Sequence, residues 1–342
     1  MSHIDRRRFL QQSVLATAGA TLPLTVVELA FAKPAENFTL AYISDAHLQH
    51  VEGTRFVRSR DRSLSRAITE INSLNPKPDF VIFGGDLAHL GTQAELDHGA
   101  ELLAKLRSKF YTVMGEHDYY LDLGTYWSKL FGPQYRSFDH KGVHFVVLNS
   151  ILTYDDWTFD RWPTPERRML EMAAMEAANG SPFMVGERQR RWLAQDLAKV
   201  ATTTPIVVFS HAPLQKIRKD WNFWTEDAED VHALLAPFER VSVLYGHVHQ
   251  IQRNQIGNIS FNSMMPTAWP WTYPHSYYSN CAISVPKLTV SMDRTASFSD
   301  SDVTGWQTID VHSGRVSIHD RPYSEIKQGV ALDRPAAHPR QV

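Results

Sequence analysis

Residues 80–86 read Phe80-Val81-Ile82-Phe83-Gly84-Gly85-Asp86, so four apolar residues lead into two glycines and a carboxylate. A short continuous apolar run of this kind is typical of a strand that is buried on both faces. The glycines allow a sharp turn and a close approach of the backbone to a ligand. Ligands of α/β sheets bind at the carboxyl ends of the strands, and we therefore predict that Asp86 lies in such a crevice.

Four other stretches repeat this pattern of an apolar run that ends in titratable side chains. They end, in chain order, at Asp45-Ala46-His47, Gly115-Glu116-His117-Asp118, Ser210-His211 and Gly246-His247-Val248-His249. Each motif alone is weak, because an isolated histidine is more often a hydrogen-bonded core or surface group. Five buried strands do not normally end on Asp, Glu or His without a reason. Since carboxylate and imidazole are ligands of Zn, Mn and Fe, we predict that the five strand ends converge on a metal site.

The order of these motifs resembles the signature of the calcineurin-like metallophosphoesterases. That signature is Asp-x-His, Gly-Asp, Gly-Asn-His-Asp, His and Gly-His-x-His, and this chain matches it from Asp45 to His249. One position departs, because Glu116 stands where the family has Asn. The resemblance implies an α/β fold, a four-layer sandwich of two facing mixed β-sheets flanked by helices.

The resemblance also implies a site for two divalent or mixed-valence metal ions (Fe, Mn or Zn). Asp45, His47 and His249 are expected to hold one ion, and Glu116, His211 and His247 the other. Asp86 is expected to bridge the two through both of its oxygens. A water between two such ions would become hydroxide near neutral pH and would be the expected nucleophile toward phosphorus.

Two further residues of the motif set are the catalytic candidates. His117 is expected to act as the general acid that protonates the leaving oxygen. Asp118 is the second candidate, and a role in orienting the loop or His117 is favoured over substrate contact.

Glu116 changes the charge of the expected site, since a carboxylate replaces a neutral amide oxygen. More ligand charge holds a metal more tightly but weakens the acidity of a bound water. We hypothesise either an iron-containing centre, in which Glu116 compensates a trivalent ion, or a narrowed and slower activity. Glu116 could instead point away from the metals.

The remaining pattern alternates strands with amphipathic segments, as in βαβ units that form a largely parallel sheet. Helices are predicted over 59–74, 92–106 (with Thr92 as N-cap), 187–200 and 231–238. Hairpins are predicted around residues 139–142 and 257–258. Residues 288–318 alternate in the manner of edge strands.

The first 32 residues resemble a twin-arginine export signal. Asp5-Arg6-Arg7-Arg8-Phe9-Leu10-Gln11 precedes a moderately apolar run, and Ala30-Phe31-Ala32 offers a small-x-small cleavage site. This arrangement fits a signal peptide better than a membrane span. We therefore expect export through the twin-arginine machinery to the periplasm or the medium, with no membrane span in the mature form. The phosphoesterase domain is predicted over 33–325, and a poorly ordered tail over 326–342.

The composition argues against a general nucleic-acid binder and against a protein stabilised by internal disulfides. The 342 residues include 35 Lys and Arg against 37 Asp and Glu, a net charge of -2. A general nucleic-acid binder usually carries a basic excess, so no stable nucleic-acid partner is expected. The single cysteine, Cys281, permits no internal disulfide and is interpreted as structural.

The aromatic residues are the only indication of substrate. They flank the motifs that are expected to face the site, some of them in two predicted cap insertions, 151–185 and 264–280, and comprise Trp157, Trp162, Trp221, Trp224, Trp269, Trp271 and Tyr273. If they line the mouth of the site, a phosphodiester with an organic group on each side is favoured over a small monoester. Core packing is the alternative for them. For the protein, the alternatives to a phosphoesterase are an inactive scaffold of the same fold and a metal-dependent hydrolase of a non-phosphate bond.

Overall fold

The computed structural model describes residues 35–119, 121–151, 163–172, 183–217, 223–271, 289–290 and 304–323. The predicted export signal, Cys281 and the predicted tail from residue 326 lie outside these residues. Most residues of the two predicted insertions, 151–185 and 264–280, also lie outside the described ranges.

The described residues form fourteen strands and seven helices. The strands are β1 (Phe38–Ile43), β2 (His50–Glu52), β3 (Arg55–Phe56), β4 (Phe80–Phe83), β5 (Lys109–Thr112), β6 (Arg136–His140), β7 (Val143–Val147), β8 (Ile206–Ser210), β9 (Val241–Tyr245), β10 (Gln252–Ile256), β11 (Ile259–Ser263), β12 (Thr289–Val290), β13 (Gly305–His312) and β14 (Arg315–Pro322). The helices are α1 (Arg58–Asn72), α2 (Gln93–Leu103), α3 (Glu116–Tyr119), α4 (Thr125–Phe131), α5 (Pro165–Met172), α6 (Glu187–Leu197) and α7 (Ala228–Leu235).

Two mixed sheets form the centre of the described fold. The first has the strand order β14-β13-β1-β4-β5, and the second has the order β12-β10-β11-β9-β8-β7-β6. In the first sheet β1, β4 and β5 are parallel, whereas β13 runs antiparallel to β1. In the second sheet β7, β8, β9 and β11 are parallel. The mixed sheets predicted from the family resemblance are therefore present.

Alternate residues of the central strands face different cores, which explains their continuous apolar sequences. Phe80 and Ile82 of β4 pack between the two sheets, together with side chains of β1, β7, β8 and β13. Val81 and Phe83 face outward and pack against α1 and α2. The outer face of the second sheet is covered in the same way by α6 and α7. The result is a sandwich of four layers, helix–sheet–sheet–helix.

Several predicted boundaries are confirmed within a few residues. Thr92 caps α2 as expected, and its hydroxyl accepts a hydrogen bond from the Glu95 backbone while the Glu95 carboxylate returns to the Thr92 amide. Both predicted hairpins form, β6–β7 and β10–β11. Helix α7 begins at Ala228, three residues before the predicted start.

The prediction that residues 288–318 form edge strands is wrong for β13. This strand lies between β1 and β14, and its residues 305–309 are buried. β13 is an interior strand because it pairs with β1, some 270 residues earlier in the chain. The Thr39 hydroxyl of β1, for example, donates a hydrogen bond to the Asp310 carboxylate of β13. Strand β14 does lie at the edge.

Among the residues that the structure describes, no helix combines the length and the apolar character needed to cross a membrane.

Candidate metal centre

The carboxyl ends of β1, β4, β5, β8 and β9 meet at one place, as the sequence pattern predicts. The loops after β1 and β4 are joined by backbone hydrogen bonds, from Asp45 to the Gly85 carbonyl (3.0 Å) and from His47 to the Asp86 carbonyl (2.9 Å). Gly85 has φ +108°, and a Cβ there would overlap the imidazole of His211. Only glycine permits both this backbone conformation and this close approach.

The first cluster of possible ligands contains Asp45, His47 and His249, all buried. His47 Nε2 lies 3.1 Å from His249 Nε2, which lies 3.2 Å from Asp45 Oδ1. We call these three residues the first group.

The second cluster contains Asp86, Glu116, His211 and His247, also buried. Glu116 Oε2 lies 3.1 Å from His211 Nε2, and Glu116 Oε1 lies 2.7 Å from His247 Nδ1. The Glu116 carboxylate therefore points into the site and not away from it. Glu116, His211 and His247 are called the second group below.

Asp86 lies between the two groups. Its Oδ2 is 3.5 Å from His47 Nε2 and 3.1 Å from His211 Nε2. Its Oδ1 instead accepts a hydrogen bond from the His117 backbone amide (3.0 Å). The expectation that Asp86 bridges through both oxygens thus differs from the structure, which directs a single oxygen toward both groups.

The donor atoms have the spacing and chemistry that a bound cation requires. Ligands at about 2.0–2.2 Å from one ion lie roughly 3.0–3.5 Å from one another. The distances given above range from 2.7 to 3.5 Å and so lie in or close to this range. Among the buried polar atoms of the described residues that make no hydrogen bond, three belong to the expected ligands: Asp45 Oδ2, Glu116 Oε2 and His211 Nε2. Burial of such polar atoms is costly unless something binds them. The residues therefore fit the pair of metal ions that the family signature implies.

The backbone at the site adopts a sparsely populated conformation. Five of the seven expected ligands have positive φ values near +50 to +65°: Asp45, His47, Asp86, His247 and His249. Residues other than glycine adopt this left-handed region uncommonly, although Asp and His do so more readily than most. Strain of this kind concentrates at functional sites, where it directs side chains that a relaxed backbone would turn elsewhere.

The electrostatics of the two groups differ. Burial lowers the pKa of His47 well below its usual value, and the neighbouring His117, His249, His89 and Arg60 lower it further. His47 is therefore neutral, as a metal-ligating imidazole must be.

In the second group the carboxylates dominate. Burial lowers the pKa of His211, but the charges of Asp86 and Glu116 outweigh burial and raise it well above the usual value. Burial raises the pKa of Glu116, but His247 and His211 outweigh this and hold it well below its usual value. This half of the site favours positive charge, which a metal ion would supply.

Hydrogen bonds to backbone carbonyls orient the histidine rings. His211 Nδ1 donates to Gly84 (2.8 Å), and His249 Nδ1 donates to Trp269 (2.5 Å). Each leaves Nε2 directed at the site, an arrangement common among metal-ligating histidines.

The two catalytic candidates occupy different positions. His117 is half-buried, and its Nδ1 donates to the His89 carbonyl (2.6 Å). Asp118 is buried and accepts hydrogen bonds from the Ala88 and Gly115 amides (2.9 and 3.1 Å). Burial and the charge of Asp86 raise the pKa of Asp118 to about 7. These hydrogen bonds fit the expected role of Asp118 in holding the loop.

Among the expected aromatic residues that the structure describes, two lie beside the first group and one lies in the core. The Trp269 ring packs 4.4 Å from the ring of His47 and 5.1 Å from that of His249, with the Arg60 guanidinium 4.8 Å from its centre. Trp271 lies 6.0 Å from His249. Trp224 is buried in the core. Trp157, Trp162, Trp221 and Tyr273 lie outside the described residues.

Two neighbours of the site belong to none of the sequence motifs, although the position of His89 indicates that it could line the pocket. His89, three residues after Asp86, contacts the rings of His47, His117 and Trp269. Its spacing from Asp86 was the only signal for it. The Phe183 ring meets His247 at 4.8 Å, at the end of the predicted insertion, and no motif marks it. His98 and His144 instead pair with Asp61 and with Asp139 and Asp196, away from the two groups.

Comparison with known proteins agrees with this geometry. The family model named calcineurin-like phosphoesterase matches residues 38–251, more than half of the chain. The chain is 22% identical over 227 residues to a 3′,5′-cyclic-nucleotide phosphodiesterase of Nostoc, covering 65% of this chain and 76% of that one. It is 24% identical over 245 residues to the glycerophosphodiester phosphodiesterase GpdQ of Enterobacter lignolyticus, covering 69% and 80%.

A solved structure shows the same fold. The crystal structure of a dimetal phosphatase from Danio rerio superposes with a TM-score of 0.58 at 17% identity, covering 85% of this chain and 97% of that one.

Proposed function

Because this chain belongs to the calcineurin-like phosphoesterase family, we propose that it is a dinuclear metal-dependent phosphodiesterase. The observation that carries the proposal is the convergence of the two groups on either side of Asp86 Oδ2. Two ions bound there would supply a hydroxide nucleophile near neutral pH and neutralise charge on the phosphoryl group.

The residues around the metal groups have separate tasks in this proposal. Asp45, His47 and His249 hold one ion, Glu116, His211 and His247 hold the other, and Asp86 joins them. His117 presents Nε2 to the leaving oxygen, because its Nδ1 is occupied by the His89 carbonyl. Because Nδ1 already carries a hydrogen, His117 acts as an acid in its imidazolium form, whose second proton, on Nε2, is placed for transfer to the leaving group. Asp118 holds the loop on which His117 lies.

Two observations support a diester over a monoester. The two curated relatives reported above are named phosphodiesterases, whereas other curated relatives are named serine/threonine-protein phosphatases. In addition, Trp269 and Trp271 place half-exposed apolar surface beside the first group. Such a surface suits an organic group next to phosphate.

The test is an assay of bis(4-nitrophenyl) phosphate against 4-nitrophenyl phosphate, with Mn²⁺, Zn²⁺ or Fe²⁺ added. We expect turnover of the diester well above that of the monoester. The His211→Asn variant should lose this turnover, whereas His98→Asn, whose histidine pairs with Asp61, should keep it. Faster monoester turnover would contradict the diesterase proposal. No turnover with any metal would favour a scaffold or a hydrolase of a non-phosphate bond.

Export is a further part of the proposal, and it is supported by the sequence of residues 5–32 alone. We expect residues 1–32, fused to a folded reporter protein, to direct that reporter out of the cytoplasm through the twin-arginine pathway. Replacement of Arg6 and Arg7 by Lys should abolish this export. Export that survives the double substitution would contradict the assignment.

A further inference from the structure

His89 forms a cluster of three imidazoles with His47 and His117, in which one ring nitrogen of each residue lies within 4.8 Å of the other two. His89 Nδ1 is 3.4 Å from His47 Nδ1. The His89 and His117 rings are stacked, with centroids 5.4 Å apart and planes 16° apart. No family motif of the sequence includes His89, so its function has to be derived from these contacts.

The direction of the His47 ring determines what His89 can do. His47 Nε2 faces the first group, 3.1 Å from His249 Nε2 and 3.5 Å from Asp86 Oδ2. A neutral imidazole that offers Nε2 to an ion carries its hydrogen on Nδ1. That N–H faces His89 Nδ1, which must then act as the acceptor.

A third metal ion among the three imidazoles is the competing interpretation. The trio has no carboxylate, and the Arg60 guanidinium donates to the His47 carbonyl at 3.0 Å. A cation there would lie beside Arg60 and the two metal groups without a negatively charged ligand of its own. Coulomb repulsion at such distances disfavours it.

We propose that His89 is a positioning residue, whose Nδ1 accepts a hydrogen bond from His47 and so holds His47 Nε2 toward the first metal ion. The inference rests on the dinuclear site of the proposed function. Partners of this kind fix the tautomer and orientation of a ligating histidine.

The side chain and the backbone of His89 have different partners, which makes the inference testable by substitution. The His89 carbonyl accepts from His117, and the His89 amide donates to Leu48. A side-chain substitution leaves both of these hydrogen bonds in place. Its effect on metal binding therefore reports on the contact with His47.

The experiment is a calorimetric titration of the full metal-free chain with Mn²⁺, in the absence of substrate. His89→Ala should weaken one of two bound ions by about 10- to 100-fold, the effect typical of removing such a partner. His89→Asn, whose Oδ1 can replace Nδ1 as acceptor, should restore most of that affinity. His89→Phe keeps the ring packing but removes the acceptor, and it gives the same test if the alanine variant does not fold. The matched control is His98→Ala, which should bind both ions as the wild type does.

Three results would overturn the inference. Wild-type affinity for both ions in His89→Ala and His89→Phe would show that the contact does not support His47. Three ions in the wild type and two in His89→Ala would make His89 a ligand. Absence of any Mn²⁺ binding by the wild type would contradict the dinuclear site itself, and this is distinguishable because the wild type is measured first.

Discussion

Glu116 determines the charge of the second group. Its carboxylate contacts both histidines of that group, where the family signature has a neutral amide. With Asp45 and Asp86 it brings three carboxylates to the site. This charge is the residue-level feature that distinguishes the chain from the family pattern.

Replacement of Glu116 by Asn or Gln should weaken one of the two ions by at least about tenfold, since a charge pair at 4 Å contributes about 4 kcal/mol at an effective dielectric constant of 20. The loss should be larger for Fe³⁺ than for Mn²⁺. Gln keeps nearly the reach of Glu, so it isolates the charge, and Asn also shortens the side chain. Metal content after dialysis against a weak chelator measures the effect. Unchanged content in both variants would show that Glu116 is not a ligand.

At the scale of single residues, the sequence predicts which seven side chains converge, but it does not predict how they are arranged. Residue type and position after a strand were enough for Asp45 or His211, because parallel strands end at a common edge. The direction of Asp86 Oδ2 toward both groups could not be predicted, since it depends on a hydrogen bond from the His117 backbone to Oδ1. The contacts of His89 depend in the same way on how the loop after β4 folds.

The loop after β4 is held by the first turn of α2. The buried Glu95 carboxylate accepts hydrogen bonds from the amides of His50, Leu90 and Thr92. The Thr92 hydroxyl completes the capping box. One helix start thus fixes the loop whose His89 carbonyl orients His117.

Thr92→Ala should therefore lower the free energy of unfolding by about 1 kcal/mol, the usual cost of losing an N-cap side chain. A matched control is Thr69→Ala inside α1, where the hydroxyl only returns to the Ser65 carbonyl. There the change should stay within about 0.5 kcal/mol. Urea denaturation of both variants measures the difference. Equal values for the two would contradict the capping role.

Elements with a strong local pattern were predictable, and long-range neighbours were not. Residues 38–43 and 241–245 form the strands expected from their apolar runs. The interior position of β13 depends on its pairing with β1 across most of the chain, which local alternation cannot indicate. Asp227 occupies the N-cap position of α7, but its carboxylate makes no capping hydrogen bond and accepts instead from the amides of Val185 and Gly186.

Across the whole molecule, a polar contact joins the two sheets at the end opposite the metal groups. Asp79, at the start of β4, pairs with His140 (2.9 Å) and Lys141 (2.5 Å) of the β6–β7 hairpin. Burial raises the pKa of Asp79, but these two partners outweigh burial and hold it below the usual value.

Asp79→Asn should lower the free energy of unfolding at pH 7 by about 1 kcal/mol, because the pair is partly exposed and screened by solvent. A carboxyl whose pKa is lower in the folded state stabilises the protein above its unfolded value of about 3.9. The difference from wild type should therefore persist down to about pH 4 and vanish as the pH falls through the lowered value. Urea denaturation of the metal-free chain across this range measures it. Asp230→Asn, at a 64% exposed side chain, is the control. A difference that grows toward low pH would contradict the assignment.

The central claim is that two groups of side chains, brought together from five strand ends, hold a pair of metal ions. Anomalous diffraction from crystals grown with Mn²⁺ tests it most directly. We expect two peaks about 3.5–4 Å apart. One should contact Asp45, His47 and His249, the other Glu116, His211 and His247, with Asp86 Oδ2 between them. A single peak, or no peak within reach of Asp86 at saturating Mn²⁺, would contradict the account.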